Sequence, residues 1–156
     1  MKILFCAVGK VHEPFVKAGV DMYTKRVTNY FPADWQLIPP AKNTSQLEAD
    51  QKKQEAAAIR QALKEGDYLV ALDERGKTLT SEALSQFVQQ RATGSVKRLI
   101  FLIGGAYGLD QSILTQASFT WSLSALTFPH QLVRLILTEQ IYRACTILRN
   151  EKYHHG

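Results

Sequence analysis

Cysteine is scarce in this 156-residue chain. Cys6 and Cys145 are the only two, and both lie in apolar runs, where cysteine behaves as a small buried hydrophobe. They read as structural thiols. No apolar run approaches the roughly 20 residues needed to span a bilayer, so no membrane partner is expected. The opening MKILFCAVGKVHEPF turns charged after one strand's length, too soon for a secretory signal, and a cytoplasmic location follows. The four histidines stand at 12, 130, 154 and 155, with no cysteine pair at ligand spacing, so no metal site is expected. No P-loop or nucleophile elbow occurs. The first strand ends in Ala7-Val8-Gly9-Lys10, one glycine where a dinucleotide site needs GxGxxG, which speaks against an ordinary doubly wound nucleotide enzyme. Repeats, low-complexity tracts and linkers are missing too, which leaves one domain over residues 1–156.

What is present is an ordinary globular composition, 46% hydrophobic and 21% charged. A formal charge of +5 and a pI near 9.3 suit a polyanionic partner as well as a merely solvated basic surface. Apolar, β-rich runs mark strands at Lys2 to Val8, Trp35 to Ile38, Tyr68 to Leu72, Arg98 to Ile103 and Phe119 to Leu123. Helical spacing or capping residues mark helices between them: Glu13 to Tyr30, Thr44 or Ser45 to about Glu65, Thr80 or Ser81 to about Ala92, and Gln111 to Ala117. Residues Asp73 to Lys77 read as a loop. Continuous apolar strands alternating with helices predict a parallel sheet covered on both faces, an α/β/α domain. A last long helix enters at Pro129 and is apolar on nearly all sides, which predicts burial against the sheet on one face and a second copy of the chain on the other.

Ligands of open α/β sheets bind at the carboxyl ends of strands. Three loops at those ends stand out, each after one of the last three strands: Leu72 to Gly76, Ile103 to Gly108, and Leu123 to Phe128. Gly104, Gly105 and Gly108 admit close backbone approach or positive φ, which serves a ligand or a plain tight turn. Residues Ser124, Ala125, Leu126, Thr127 and Phe128 offer amides, hydroxyls and apolar faces suited to a purine, or else a strand-to-helix connection capped by Thr127. His130 starts the last helix. Arg134 is a charge on an apolar helix and needs a partner or an anionic ligand, whereas Glu139 and Arg143 are spaced for an intrahelical pair.

Together ILFCAVGK, LDERGK, LIGGAYGL, LSALTFPHQLVRLILTEQIYRA and the terminal Tyr-His resemble the RlmH family of SPOUT methyltransferases over nearly the whole chain. The resemblance implies transfer of a methyl group from S-adenosylmethionine to N3 of a pseudouridine in large-subunit ribosomal RNA. It also implies a homodimer and a C-terminal trefoil knot. By position it makes Leu72, Gly104 and Leu123 to Phe128 cofactor contacts, with Gly105 and Gly108 in the same turn, and carries the tail residues Tyr153 and His154 to the active site. In this family a basic residue often follows the Tyr-His pair; here His155 and Gly156 do.

An N3 proton must be removed before transfer, which suits His154, or His130, as the base. Arg134 or Arg143 would hold the developing oxygen charge or a neighbouring phosphate, and Tyr153 would stack on the base. Lys10, Lys17, Lys25 and Arg26 are the expected phosphate contacts. The contrasting expectation is a non-catalytic RNA-binding or ribosome-assembly module with a purely structural glycine loop.

Overall fold

The computed structural model describes residues 1–42 and 47–156. Five strands, β1 (Lys2–Val8), β2 (Ala33–Ile38), β3 (Tyr68–Lys77), β4 (Arg98–Ile103) and β5 (Phe119–Trp121), form one parallel sheet in the order β2-β1-β4-β3-β5. Five helices connect them or follow: α1 (Pro14–Val27), α2 (Glu48–Ala62), α3 (Ser81–Thr93), α4 (Gln111–Gln116) and α5 (His130–Leu148).

Because side chains alternate along a strand, each central strand feeds two cores. Ile3, Phe5, Val70, Leu99 and Phe101 meet Val27 of α1, Leu84 and Val88 of α3, and Leu137 and Ile141 of α5. On the other face Leu4, Cys6, Leu69, Ile100 and Leu102 meet Ile59 of α2 and Ile113 of α4. The three-layer α/β/α arrangement is therefore present, and both cysteines are buried free thiols whose pKa burial raises to about 11 for Cys6 and about 12 for Cys145. Among the described residues no helix is long and apolar enough to cross a membrane.

β1 and β4 have the bounds that their apolar runs predict. Thr80 caps α3 by accepting from the Ala83 amide at 3.0 Å, and Asp110 caps α4 through the Ser112 amide at 3.1 Å. The proposed caps Thr44 and Ser45 lie outside the described residues; α2 starts at Glu48 behind Leu47 and ends at Ala62, short of Glu65. β5 stops at Trp121, not Leu123.

One correction matters for the site. Asp73 to Lys77 is not a free loop: β3 runs on through it, with Leu72 and then Lys77 both opposite Trp121. Residues 73–76 therefore form a bulge that re-aims the strand over the end of β5. Gly76 makes this possible, since a Cβ there would lie 2.6 Å from the Thr120 carbonyl carbon and oxygen.

A second correction concerns α5. Its apolar surround is used largely inside the chain, where it packs on the sheet between α1 and α3. Gly19 lets α1 close on it, a Cβ there falling 2.5 Å from the Leu135 side chain. Leu132, Leu135, Ile136 and Ile147 remain only half-buried.

Candidate functional site

β4, β3 and β5 are neighbours, so the bulge of β3 and the loops after β4 and β5 lie side by side, around a cavity of about 510 Å³. That volume falls within the usual range of small-molecule sites. Of the residues singled out above, Leu72, Gly104, Gly105, Gly108, Leu123, Ser124, Leu126, Thr127, Phe128 and His130 all line it. Ala125 is exposed and does not.

Each wall has a local cause. The β3 bulge is held by Asp73, whose carboxylate accepts from the Arg75 amide and Nε at 2.9 Å and from Nη2 at 3.1 Å. These bonds to Arg75 keep the Asp73 carboxyl below the usual carboxylate range, so it stays ionised at the cavity edge. After β4 the chain makes a tight turn in which the Gly108 amide donates to the Gly105 carbonyl at 3.0 Å, with Gly108 at φ +81°. Gly104 is required by crowding, because a Cβ there would meet the Gly108 carbonyl carbon at 2.8 Å. The turn and the close approach thus coexist in one motif.

The third wall is pinned at both ends. The Ser122 amide donates to the Lys77 carbonyl at 2.9 Å, and the Ser122 hydroxyl to the Ser124 carbonyl at 3.0 Å. The Ser124 hydroxyl in turn accepts from the Leu126 amide at 3.0 Å. Pro129, not Thr127, occupies the cap position of α5, so Thr127 is not spent on capping and its exposed side chain faces the cavity's surroundings. Trp121 also lines the site, and its buried indole N–H has no acceptor among the described residues.

Sequence reasoning missed Lys52 and Val133 as lining residues, and took in Tyr107 only as part of the loop Ile103 to Gly108. Lys52 arrives from α2, the helix before β3, and only the tertiary fold reveals it. Tyr107 and Val133 each stand close in sequence to a predicted contact, Gly108 and His130, which was the available signal.

The residues suggested for chemistry divide into three places. His130 is exposed at the cavity wall. Arg134 points elsewhere: it is only 2% exposed, and its Nη1 donates to the Lys10 carbonyl at 2.8 Å and lies 3.2 Å from His12 Nδ1. Since a guanidinium has no acceptor, that ring nitrogen must accept. Burial lowers the pKa of both Arg134 and His12. Arg134 is thus a structural link between α5 and the end of β1, not a residue open to a ligand.

Arg143, Tyr153 and His154 form a third group, away from their own chain's cavity. Arg143 pairs with Glu139 at 2.6 Å, the intrahelical pair that the spacing predicts, and lies 3.1 Å from His154 Nδ1. His154 Nε2 stands 2.8 Å from Glu82 on α3, so the ring suits the tautomer with its hydrogen on Nε2. The Tyr153 hydroxyl donates to Glu139 at 3.0 Å, and burial followed by its bonds to Tyr23 and Glu139 raises its pKa. The tail is therefore anchored, not frayed. Of the expected phosphate contacts, Lys17 pairs with Asp21 at 2.6 Å and Arg26 stacks on Tyr23 and Tyr142. Among the described residues no three His, Cys, Asp or Glu side chains gather as a metal ion would need.

A family model described as "Predicted SPOUT methyltransferase" matches residues 1–154. The chain is 45% identical over 156 residues to a Parabacteroides distasonis protein named ribosomal RNA large subunit methyltransferase H, covering 99% of both. Proteins of the same name from Cytophaga hutchinsonii and Acetivibrio thermocellus are each 41% identical, again over 99% of this chain, covering 100% and 99% of their own lengths. Among solved structures, a probable methyltransferase from Bordetella pertussis superposes with a TM-score of 0.58 at 13% identity, over 92% of this chain and 93% of that one. A probable methylase family protein from Haemophilus influenzae does so at 0.55 and 9%, over 99% and 70%. At such identities these two likenesses concern the fold alone.

Proposed function

The chain belongs to the SPOUT methyltransferase family, with the ribosomal RNA large subunit methyltransferase H proteins as relatives, and from that premise we propose that it methylates N3 of a pseudouridine in large-subunit ribosomal RNA, using S-adenosylmethionine. The observation that carries this reading is the convergence of the β3 bulge and the loops after β4 and β5, all from adjacent parallel strands, on one cavity of about 510 Å³.

The cavity's residues fit such a cofactor. Leu126 and Phe128 supply apolar contact for a purine, and the Gly104–Gly108 turn lets main chain approach closely. When bound, S-adenosylmethionine supplies a methyl carbon already activated by its sulfonium. The chain's own part is then to align the acceptor and take its proton.

For that part we infer a homodimer in which Tyr153 and His154 of one copy meet the cavity of the other. The tail packs against α1, α3 and α5 of its own chain and lines no part of its own cavity, so only a second copy brings the two together. The half-buried Leu132, Leu135, Ile136 and Ile147 supply apolar surface for such a contact. His154 then takes the N3 proton at Nδ1, the nitrogen that Arg143 must first release; Tyr153 stacks on the base, and Arg143, so freed from His154 but still tied to Glu139, holds the developing oxygen charge, whereas Arg134 is too buried to share that role. His130, on the cavity wall, is the other candidate base. A trefoil knot would complete the site, and the tight packing of Gly76 on the Thr120–Trp121 backbone, where β3 bulges against the end of β5, is the feature that supports it. We further infer a single domain, a cytoplasmic enzyme, and ribosomal RNA as the polyanion that the net charge of +5 suits.

Equilibrium dialysis with labelled S-adenosylmethionine tests the reading, followed by mass mapping of ribosomal RNA from cells with and without the gene. Saturable binding, and a methyl group lost from one large-subunit uridine-type position, are expected. Absence of cofactor binding would leave a non-catalytic RNA-binding module.

A further inference from the structure

Tyr107 stands at the tip of the turn between Gly105 and Gly108 and lines the cavity, yet it is 51% exposed. Among the described residues it makes no hydrogen bond, ring contact or cation–π contact. A single exposed aromatic ring is ordinary in itself; what singles out Tyr107 is its place on the lining of the cavity, where a flat face meets whatever enters. The mount is rigid: the Gly108 amide closes the turn on the Gly105 carbonyl at 3.0 Å, and Gly104 packs against the Gly108 backbone so closely that a Cβ would lie 2.8 Å away. With the backbone under it fixed, only the two side-chain torsions of Tyr107 remain to be ordered when something flat settles on its ring.

Around it the rim carries two cations of unlike status. The Arg75 guanidinium is paired with Asp73 through two hydrogen bonds, at 2.9 and 3.1 Å, so its charge already has a partner. Lys52, on α2, forms no ion pair within 4 Å among the described residues, and acts only through space on Asp73 and Asp110. A flat unsatisfied ring beside an uncommitted ammonium is the pairing by which single-stranded nucleic acid is held, base on ring and phosphate on cation.

We propose that Tyr107 is the stacking platform for an unpaired base next to the target nucleotide, with Lys52 on the adjoining phosphodiester. This rests on the functional reading above and names the part of that site that grips the RNA strand. A base delivered into the cavity leaves its chain neighbours at the rim, where Tyr107 and Lys52 stand.

The test uses the full chain and large ribosomal subunits lacking the modification, with Tyr107→Ala, Tyr107→Phe, Tyr107→Trp and Lys52→Ala variants. Tyr107→Ala should raise the apparent KM for the subunits by about 5- to 150-fold, the range of one lost base stack. Tyr107→Phe and Tyr107→Trp should restore it, and cofactor affinity by dialysis should stay within about twofold of wild type. Lys52→Ala should flatten the salt dependence by about one phosphate contact. An unchanged KM in Tyr107→Ala, a parallel loss of cofactor affinity, or failure of Tyr107→Phe to restore the KM would each overturn the proposal. If the wild type binds no S-adenosylmethionine, the methyltransferase reading fails by itself. Affinity of the same variants for ribosomal subunits then decides the platform.

Discussion

Glycine positions in this chain carry unequal demands. At Gly76 any side chain must displace the backbone of β5, which cannot move aside as a flexible side chain can. Gly66 sits at φ +85° with nothing within 4 Å of an added Cβ, so only its own conformation resists substitution. Gly76→Ala should therefore cost about 1–3 kcal/mol or more by overpacking, and Gly66→Ala about 1–2 kcal/mol by left-handed strain. Urea midpoints of the two variants check the order, and a Gly66→Ala loss exceeding that of Gly76→Ala would contradict the tight packing described for β3. His12 gives a pH signature at the same scale. Burial, then the charge of Arg134, lowers its pKa from 6.5, so the unfolded chain takes up a proton that the native ring resists. Its contribution is whole above pH 6.5 and declines as pH falls below that value. A His12→Gln variant should lose less stability than the wild type as the pH is lowered from about 7 to about 5. The need of Arg134 for a partner was legible from its place on an apolar helix; that the partners are the Lys10 carbonyl and His12 was not, because 122 or more residues separate them.

Elements were legible to the degree that one local rule decided them. β1 and β4 are unbroken apolar runs buried on both faces, and their bounds follow from that alone. β3 changes character at Asp73, where polarity suggested a loop; pairing with β5 carries the strand onward regardless, a tertiary effect that no window of sequence contains. The cavity loops after β4 and β5 were legible as glycine and small-residue breaks after strands, whereas Lys52 entered from a helix with no local mark. The tail is the element that most sharply separates binding from chemistry. It lines no part of its own cavity and is tied to Glu82, Glu139 and Arg143. Removal of residues 153–156 should abolish methylation while cofactor affinity by dialysis changes no more than a few fold. Undiminished turnover in the shortened protein would exclude the tail from catalysis.

For the whole molecule, the apolar surround of α5 suggested a partner, and part of that surround turns out to be covered by α1 and α3. What remains half-buried is smaller, so the dimer has to be measured. Light scattering should return twice the 17.6 kDa of one chain at micromolar concentration. A Leu132→Glu, Ile136→Glu double substitution should halve that mass and remove activity with it. Because the cavity meets α5 at its first turn and the tail follows its last, damage to one leaves the other intact. Two inactive proteins, one blocked at the cavity by Gly104→Val and one lacking residues 153–156, should mend each other when co-expressed: the hybrid owns one sound workplace built from the undamaged half of each parent.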